Sequence, residues 1–231
     1  CESLSYSCYF QALINELTKE KIDFIYICQS GDKNIKKFEI NKYYSFNNTV
    51  LLSLVICFIN CKKLILTTPD YGNTMTVSKN CDELIYIFHS LVSTYYAYKE
   101  RAFDAYDVIC CAGPHHYREF KKKNKNIKKK LLRAGYPYLD TLIKSKNNYL
   151  VGKKILIAPT WNPEEANYYY INYFKLIDLL LRNNHKVILR PHPEFLKRFK
   201  PQIDILNNNF KHLKSFFLDV DHSNFHSMNE S

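Results

Sequence analysis

Glycine is scarce in this chain, with 5 in 231 residues. No GxGxxG run and no GxxxxGKS or GxxxxGKT run occurs, so the glycine-built phosphate cradles of dinucleotide-binding and P-loop proteins have no candidate here. Long apolar runs are lacking too. The longest, "TVLLSLVICFI" from Thr49 to Ile59, falls short of the ~20 residues that span a bilayer. The eight cysteines, at positions 1, 8, 28, 57, 61, 81, 110 and 111, form no CxxC pair and complete no zinc-ligand spacing. Cys28, Cys57, Cys110 and Cys111 lie inside apolar runs and read as small buried hydrophobes in a reducing, cytoplasmic setting. The sequence therefore predicts no metal site and no cofactor.

What is present is a globular composition, 46% hydrophobic and 24% charged, in a length that suits one large domain or two small ones. The formal charge of +11 favours anionic partners: nucleic acid, acidic lipid or phosphorylated small molecules. Seven lysines fall within "KKKNKNIKKK" at 121–130. That run is a solvated loop and helix end, or it touches an anionic membrane surface through Lys121, Lys122, Lys123, Lys128, Lys129 and Lys130. Lysines without interleaved aromatics or arginines make a poor nucleic-acid signature, and no nucleic-acid partner is expected.

Short apolar runs alternate with amphipathic ones. Strands are expected at 22–30, 63–68, 83–90, 107–114, 153–161, 186–193 and 215–220, and a strand or strand-turn at 129–137. Helical spacing covers 5–17, 115–124 and 166–184, and the apolar stretch 47–60 reads as a buried helix. Strands separated by helices, apolar on both faces, predict an α/β protein with parallel sheets. The polar stretch "KSKNNYLVG" at 144–152 marks a boundary, giving an N-terminal Rossmann-like domain at 1–146 and a second at 147–231. The chain opens on Cys1 and closes on "HSNFHSMNES". It reads as a fragment whose second domain is incomplete.

In doubly wound sheets ligands bind beyond the carboxyl ends of strands, so the residues after each strand are the candidates. His89-Ser90 follows one run, Gly113-Pro114-His115 another, Gly135-Tyr136-Pro137 a third, Pro159-Thr160-Trp161 a fourth and Arg190-Pro191-His192-Pro193 a fifth. Two prolines around His192 restrict its backbone. A pre-oriented imidazole beside a guanidinium suits a phosphate; the alternative is a stiffened turn whose histidine bonds a backbone carbonyl. His89 is a candidate general base, or a surface histidine beside a capping serine. Asp219-Val220-Asp221 is a DxD, too common to assign a metal.

Taken in order, "IFHSLVS" (87–93), "AFDAYDVICCAGPHHYREF" (102–120), "RAGYPYLDTL" (133–142), "ILIAPTWNPEE" (155–165) and "VILRPHPEF" (187–195) resemble the CDP-glycerol glycerophosphotransferase family of teichoic-acid and capsule polymer synthesis. The resemblance implies a GT-B fold, two Rossmann-like domains with a cleft between them. It implies transfer of glycerol phosphate from CDP-glycerol, or a similar CDP-alcohol, to a hydroxyl of a lipid-linked or polymer acceptor, with release of CMP, on the inner face of the cell membrane. By position His89 and His192 match the family's two histidines, Arg190 would face the donor pyrophosphate, and Thr160 and Gly135 lie in matching loops. The chain departs from the family where Ser-Leu-Val-Ser replaces His-Gly-Thr after the first histidine. It also ends near where an Asp/Ser-rich motif is expected. A GT-B glycosyltransferase or sugar-nucleotide epimerase relative using a nucleotide sugar, and an inactive anionic-lipid-binding fragment, are the competing readings.

Overall fold

The computed structural model describes residues 4–29, 31, 42–72, 78–123, 129–144, 154–159 and 163–220. The chain divides into two compact units, 1–144 and 145–231. The expected boundary at 146/147 lies outside the described residues.

The first unit opens with a 3-10 helix, Leu4–Phe10, that runs into α1 (Gln11–Lys19). Strands β1 (Tyr26–Gln29) and β2 (Tyr43–Phe46) then form a parallel pair. Helix α2 (Thr49–Phe58) leads to β3 (Cys61–Leu66) and β4 (Cys81–Ile87). The short α3 (Thr94–Ala97), β5 (Val108–Cys111), α4 (Pro114–Lys123), β6 (Lys130–Arg133) and α5 (Pro137–Lys144) complete the unit. Strands β3 to β6 form one parallel sheet in sequence order.

Its core is aromatic. The fully buried Tyr86 presents ring edges to Phe88, Phe103 and Tyr106 at centroid distances of 4.9, 4.9 and 5.0 Å, the T-shaped geometry that the ring quadrupole favours. Tyr106 adds a hydroxyl donated to the Thr68 carbonyl.

The second unit holds β7 (Lys154–Ile157), α6 (Pro163–Arg182), β8 (Lys186–Leu189), α7 (Pro193–Arg198), α8 (Lys200–Phe210) and β9 (Phe216–Leu218). Its three strands are parallel in the order β7-β8-β9. Parallel neighbours need crossovers: α6 supplies one, and α7 with α8 the other. Ile177 of α6, Val187 and Leu189 of β8, Phe195 of α7 and Leu206 of α8 are buried together.

One feature departs from the sequence-based expectation, and the strand or strand-turn expected at 129–137 resolves as the latter. The stretch 47–60 is a helix but not a buried one: Leu52 and Ile56 are covered, while Phe58 and Val50 remain 75% and 66% exposed. Leu52 and Ile56 lie four residues apart on one stripe, and only that stripe can face the two-stranded sheet on which α2 packs. The stretch 129–137 is strand only to Arg133; Gly135 takes φ +77° and starts the turn into α5. The glycine-poor chain also uses other residues for left-handed backbone, and Asn184 (φ 60°) ends α6 in this way.

Candidate active site

Within the first unit the carboxyl ends of β3, β4 and β6 converge on His89. Thr67, buried, directly follows β3, and His89 stands two residues beyond β4. The imidazole Nδ1 lies 2.9 Å from the Thr67 carbonyl oxygen and 3.2 Å from Thr67 Oγ1. A carbonyl only accepts, so Nδ1 carries a proton, and in the neutral ring the basic lone pair is on Nε2.

Tyr6 stacks on the ring at 4.6 Å and Tyr9 tilts against it at 6.0 Å. The Tyr136 hydroxyl donates to the His89 carbonyl at 3.0 Å. Gly135 makes that bond possible. Its left-handed backbone, with its N–H bonded to the Cys111 carbonyl at 3.2 Å, turns the chain so that Tyr136 faces back. Burial pushes the phenols of Tyr9 and Tyr136 far up and that of Tyr98 to about 12, so these phenols stay neutral.

The segment after His89 is held from α4. His115 Nε2 meets the Leu91 carbonyl at 3.0 Å and His116 Nε2 the Val92 carbonyl at 2.8 Å. Glu119 accepts from the Thr94 N–H and hydroxyl at 2.6 and 2.7 Å. Burial acts to raise the Glu119 pKa, but the bonds from Thr94 and Ser93 outweigh it and hold the carboxylate below its ordinary range. His116 is fully buried against Phe88, ring to ring at 3.9 Å, and its Nδ1 has no hydrogen-bond partner. Burial accordingly lowers its pKa.

In the second unit β8 delivers Arg190-Pro191-His192. Arg190 Nη1 lies 2.5 Å from Asp219 Oδ2, both side chains nearly sequestered at 7% and 6% exposure. The Arg190 N–H bonds the Ile157 carbonyl and the Asp219 N–H the Leu189 carbonyl, each at 2.8 Å. The ion pair thus ties the end of β8 to the end of β9. His192 caps α7: its Nδ1 accepts from the Glu194 N–H at 3.2 Å, and its own N–H bonds the Pro159 carbonyl at 3.1 Å. An amide only donates, so Nδ1 is unprotonated and the neutral ring carries its hydrogen on Nε2. Burial lowers the His192 pKa, against the pull of Glu194, which favours that neutral form.

The two histidines therefore present opposite chemistry: a basic Nε2 at His89 and an Nε2–H donor at His192. His89 and Gly135 meet through Tyr136, and Arg190 and His192 share one loop. Arg190, expected at the donor phosphates, turns its guanidinium inward to Asp219 and has little surface for a ligand. Lys121, Lys122 and Lys123 are exposed at the end of α4, and Lys130 is exposed at the start of β6. Lys129 departs from the expected anion contact, because its ammonium donates to the carbonyls of Asp104 and Tyr106 at 2.5 and 2.7 Å. Thr160 and Lys128 lie outside the described residues.

Tyr136 stands among the strand-end candidates through Gly135-Tyr136-Pro137, whereas Thr67 and Tyr6 were not readable as site residues, since nothing local marks them; the fold brings them to His89. Among the described residues no group of three or more His, Cys, Asp or Glu is placed to hold a metal, and none of their helices is long and apolar enough to cross a membrane.

The family model described as CDP-Glycerol:Poly(glycerophosphate) glycerophosphotransferase matches residues 2–227. No individual curated protein matches the chain. Among solved structures, the UDP-GlcNAc 2-epimerase of Methanocaldococcus jannaschii in complex with UDP-GlcNAc and UDP is similar, with a TM-score of 0.61 at 12% identity over 92% of this chain and 69% of that one. A second structure of the UDP-GlcNAc 2-epimerase from that organism gives 0.50 at 9% identity with the same coverage. At these identities the likeness speaks to fold, and it agrees with Rossmann-like α/β units of GT-B type.

Replacing Asp219 by Asn should cost about 3–5 kcal/mol, because it strands a buried guanidinium; chemical denaturation reads this as a lower midpoint, and an unchanged midpoint would refute a structural role. The lowered pKa values of His116 and His192 mean that the unfolded chain binds more protons in the window below the ordinary histidine value of ~6.5. Stability should be fully present above that value and fall as pH drops through the window. Thermal unfolding from about pH 7.5 to about pH 5 should show the decline, and His116→Gln should flatten it.

Proposed function

The chain belongs to the CDP-glycerol:poly(glycerophosphate) glycerophosphotransferase family, and on that premise we propose that it moves glycerol phosphate, or a related polyol phosphate, from a CDP-activated donor to a hydroxyl of a lipid-linked or polymeric acceptor. The product would be a teichoic-acid-like or capsule polymer. The observation that carries this reading is the opposed hydrogen-bond polarity of the two imidazoles. Phosphoryl transfer to a hydroxyl needs a group that takes a proton and a group that donates to phosphate oxygen.

In the proposed step the acceptor hydroxyl attacks the phosphorus that bears glycerol. A new O–P bond forms and the bridging P–O bond to CMP breaks, its electron pair leaving with CMP. The hydroxyl proton passes to Nε2 of His89. The imidazolium that results is stabilised at Nδ1–H by the Thr67 carbonyl, and its ring lies against Tyr6. His192 supplies its Nε2–H to the donor's phosphate oxygens, where charge builds as the bridge breaks. Arg190 serves as a positioning residue: with Asp219 it fixes the loop that carries His192. Gly135 likewise acts by aiming Tyr136 at His89. The exposed Lys121, Lys122, Lys123 and Lys130 are proposed to hold the protein against an anionic membrane surface, where a lipid-linked acceptor would sit.

Asparagine substitution separates function from folding at both histidines. His89→Asn keeps a donor toward Thr67 and removes Nε2. His192→Asn keeps a good helix cap and removes the Nε2–H. With purified protein and CDP-glycerol, each should lower CMP release by about 10²–10⁴-fold at unchanged melting temperature. Undiminished release, or nucleotide release from UDP-sugars and not from CDP-glycerol, would overturn the reading. For the membrane contact, sedimentation with phosphatidylserine vesicles should capture the protein at low salt, and 1 M salt should release it by screening. Capture that survives that salt would contradict the lysine assignment.

A further inference from the structure

Cys61 and Cys81 are twenty residues apart in sequence and directly opposite in the sheet. They open β3 and β4 as in-register partners, and their sulfurs lie 3.9 Å apart. We propose that Cys61 and Cys81 form a dithiol modification site, which closes to a disulfide on exchange with a small-molecule disulfide and is also captured by trivalent arsenicals.

Neighbouring strands run about 4.8 Å apart, inside the roughly 4.4–6.8 Å Cα separation that disulfides bridge. The sulfurs already face each other, so closure needs side-chain rotation and a small strand adjustment rather than unfolding. Both residues are only partly buried, which leaves a route for a small reagent. The remaining described cysteines offer no equal pair. Cys28 and Cys111 are buried, and Cys110 and Cys111 are sequence neighbours on one strand, where alternate side chains point to opposite faces.

The exchange balances. The thiolate of one cysteine attacks a sulfur of RSSR, forming a mixed disulfide and expelling RS⁻. The second cysteine, as thiolate, attacks the protein sulfur of that mixed disulfide and expels another RS⁻. Two electrons pass from the cysteine pair to RSSR, and the two thiol protons leave with the two RSH formed. Burial, and next the neighbouring Cys81, push the Cys61 thiol up to about 11. Cys61 is therefore mostly protonated near neutrality, and closure through its thiolate quickens as pH rises.

The location gives closure a structural consequence. β3 leads to Thr67 and β4 to His89, so the crosslink ties together the two strands beyond whose far ends the Thr67–His89 hydrogen bond forms.

The test treats the purified protein with oxidised glutathione at mildly alkaline pH, followed by intact mass and peptide mapping without reduction. The expected result is loss of two hydrogens, a peptide joining Cys61 to Cys81, and a rise of several degrees in melting temperature that dithiothreitol reverses. Cys61→Ser and Cys81→Ser should each abolish the crosslink and leave glutathione on the remaining partner. Phenylarsine oxide should block both thiols from alkylation in the native protein and neither in the single variants. Stable glutathione adducts on both cysteines without closure, or a crosslink joining other cysteines first, would overturn the proposal.

Discussion

The polarity of a single hydrogen bond governs the chemistry assigned to this protein. Nδ1 of His89 faces a carbonyl oxygen, that of Thr67, and a carbonyl cannot donate. In the neutral ring that puts the lone pair on Nε2. His192 meets the reverse constraint, because Nδ1 faces the Glu194 amide and an amide cannot accept. On the proposed reading one residue type supplies a base in one unit and a neutral donor in the other, and backbone groups set the polarity in both.

Parallel sheets explain how such backbone partners come to be available. Every strand of a parallel sheet ends on the same edge, where carbonyls and amides no longer find ladder partners. Thr67 leaves β3 and His89 leaves β4 at that edge, and Tyr136 reaches it from β6 through the left-handed Gly135. In the second unit the edge is closed by charge. Burying Arg190 with Asp219 gives back in Coulomb attraction what it loses in desolvation only if the geometry is tight. The 2.5 Å contact and the backbone bonds at each partner meet that condition, and the loop carrying His192 is fixed as a result.

Much of this was legible in the sequence. The parallel α/β class follows from apolar runs spaced by amphipathic ones, and the strand-end positions of His89 and His192 follow from the runs that precede them. Other parts were not. β2, α5 and α7 are short, with 4, 8 and 6 residues, and escape a pattern search, while the helical spacing of Ile203, Leu206 and Phe210 in α8 lay between the strands that led the reading. The burial of Arg190 depends on Asp219, 29 residues away, and a guanidinium after a strand looks the same whether it faces a ligand or an acid. Lys129 is indistinguishable in a lysine run from its exposed neighbours, yet its ammonium caps two carbonyls. Cys61 and Cys81 become a pair only through strand register, which spacing does not encode.

Nitrogen-15 NMR of the histidine rings addresses the central claim directly, since protonated and unprotonated ring nitrogens differ widely in shift. At neutral pH His89 should show a protonated Nδ1 with an unprotonated Nε2, and His192 the opposite. The same tautomer at both rings, or a doubly protonated His192, would contradict the division of labour between them.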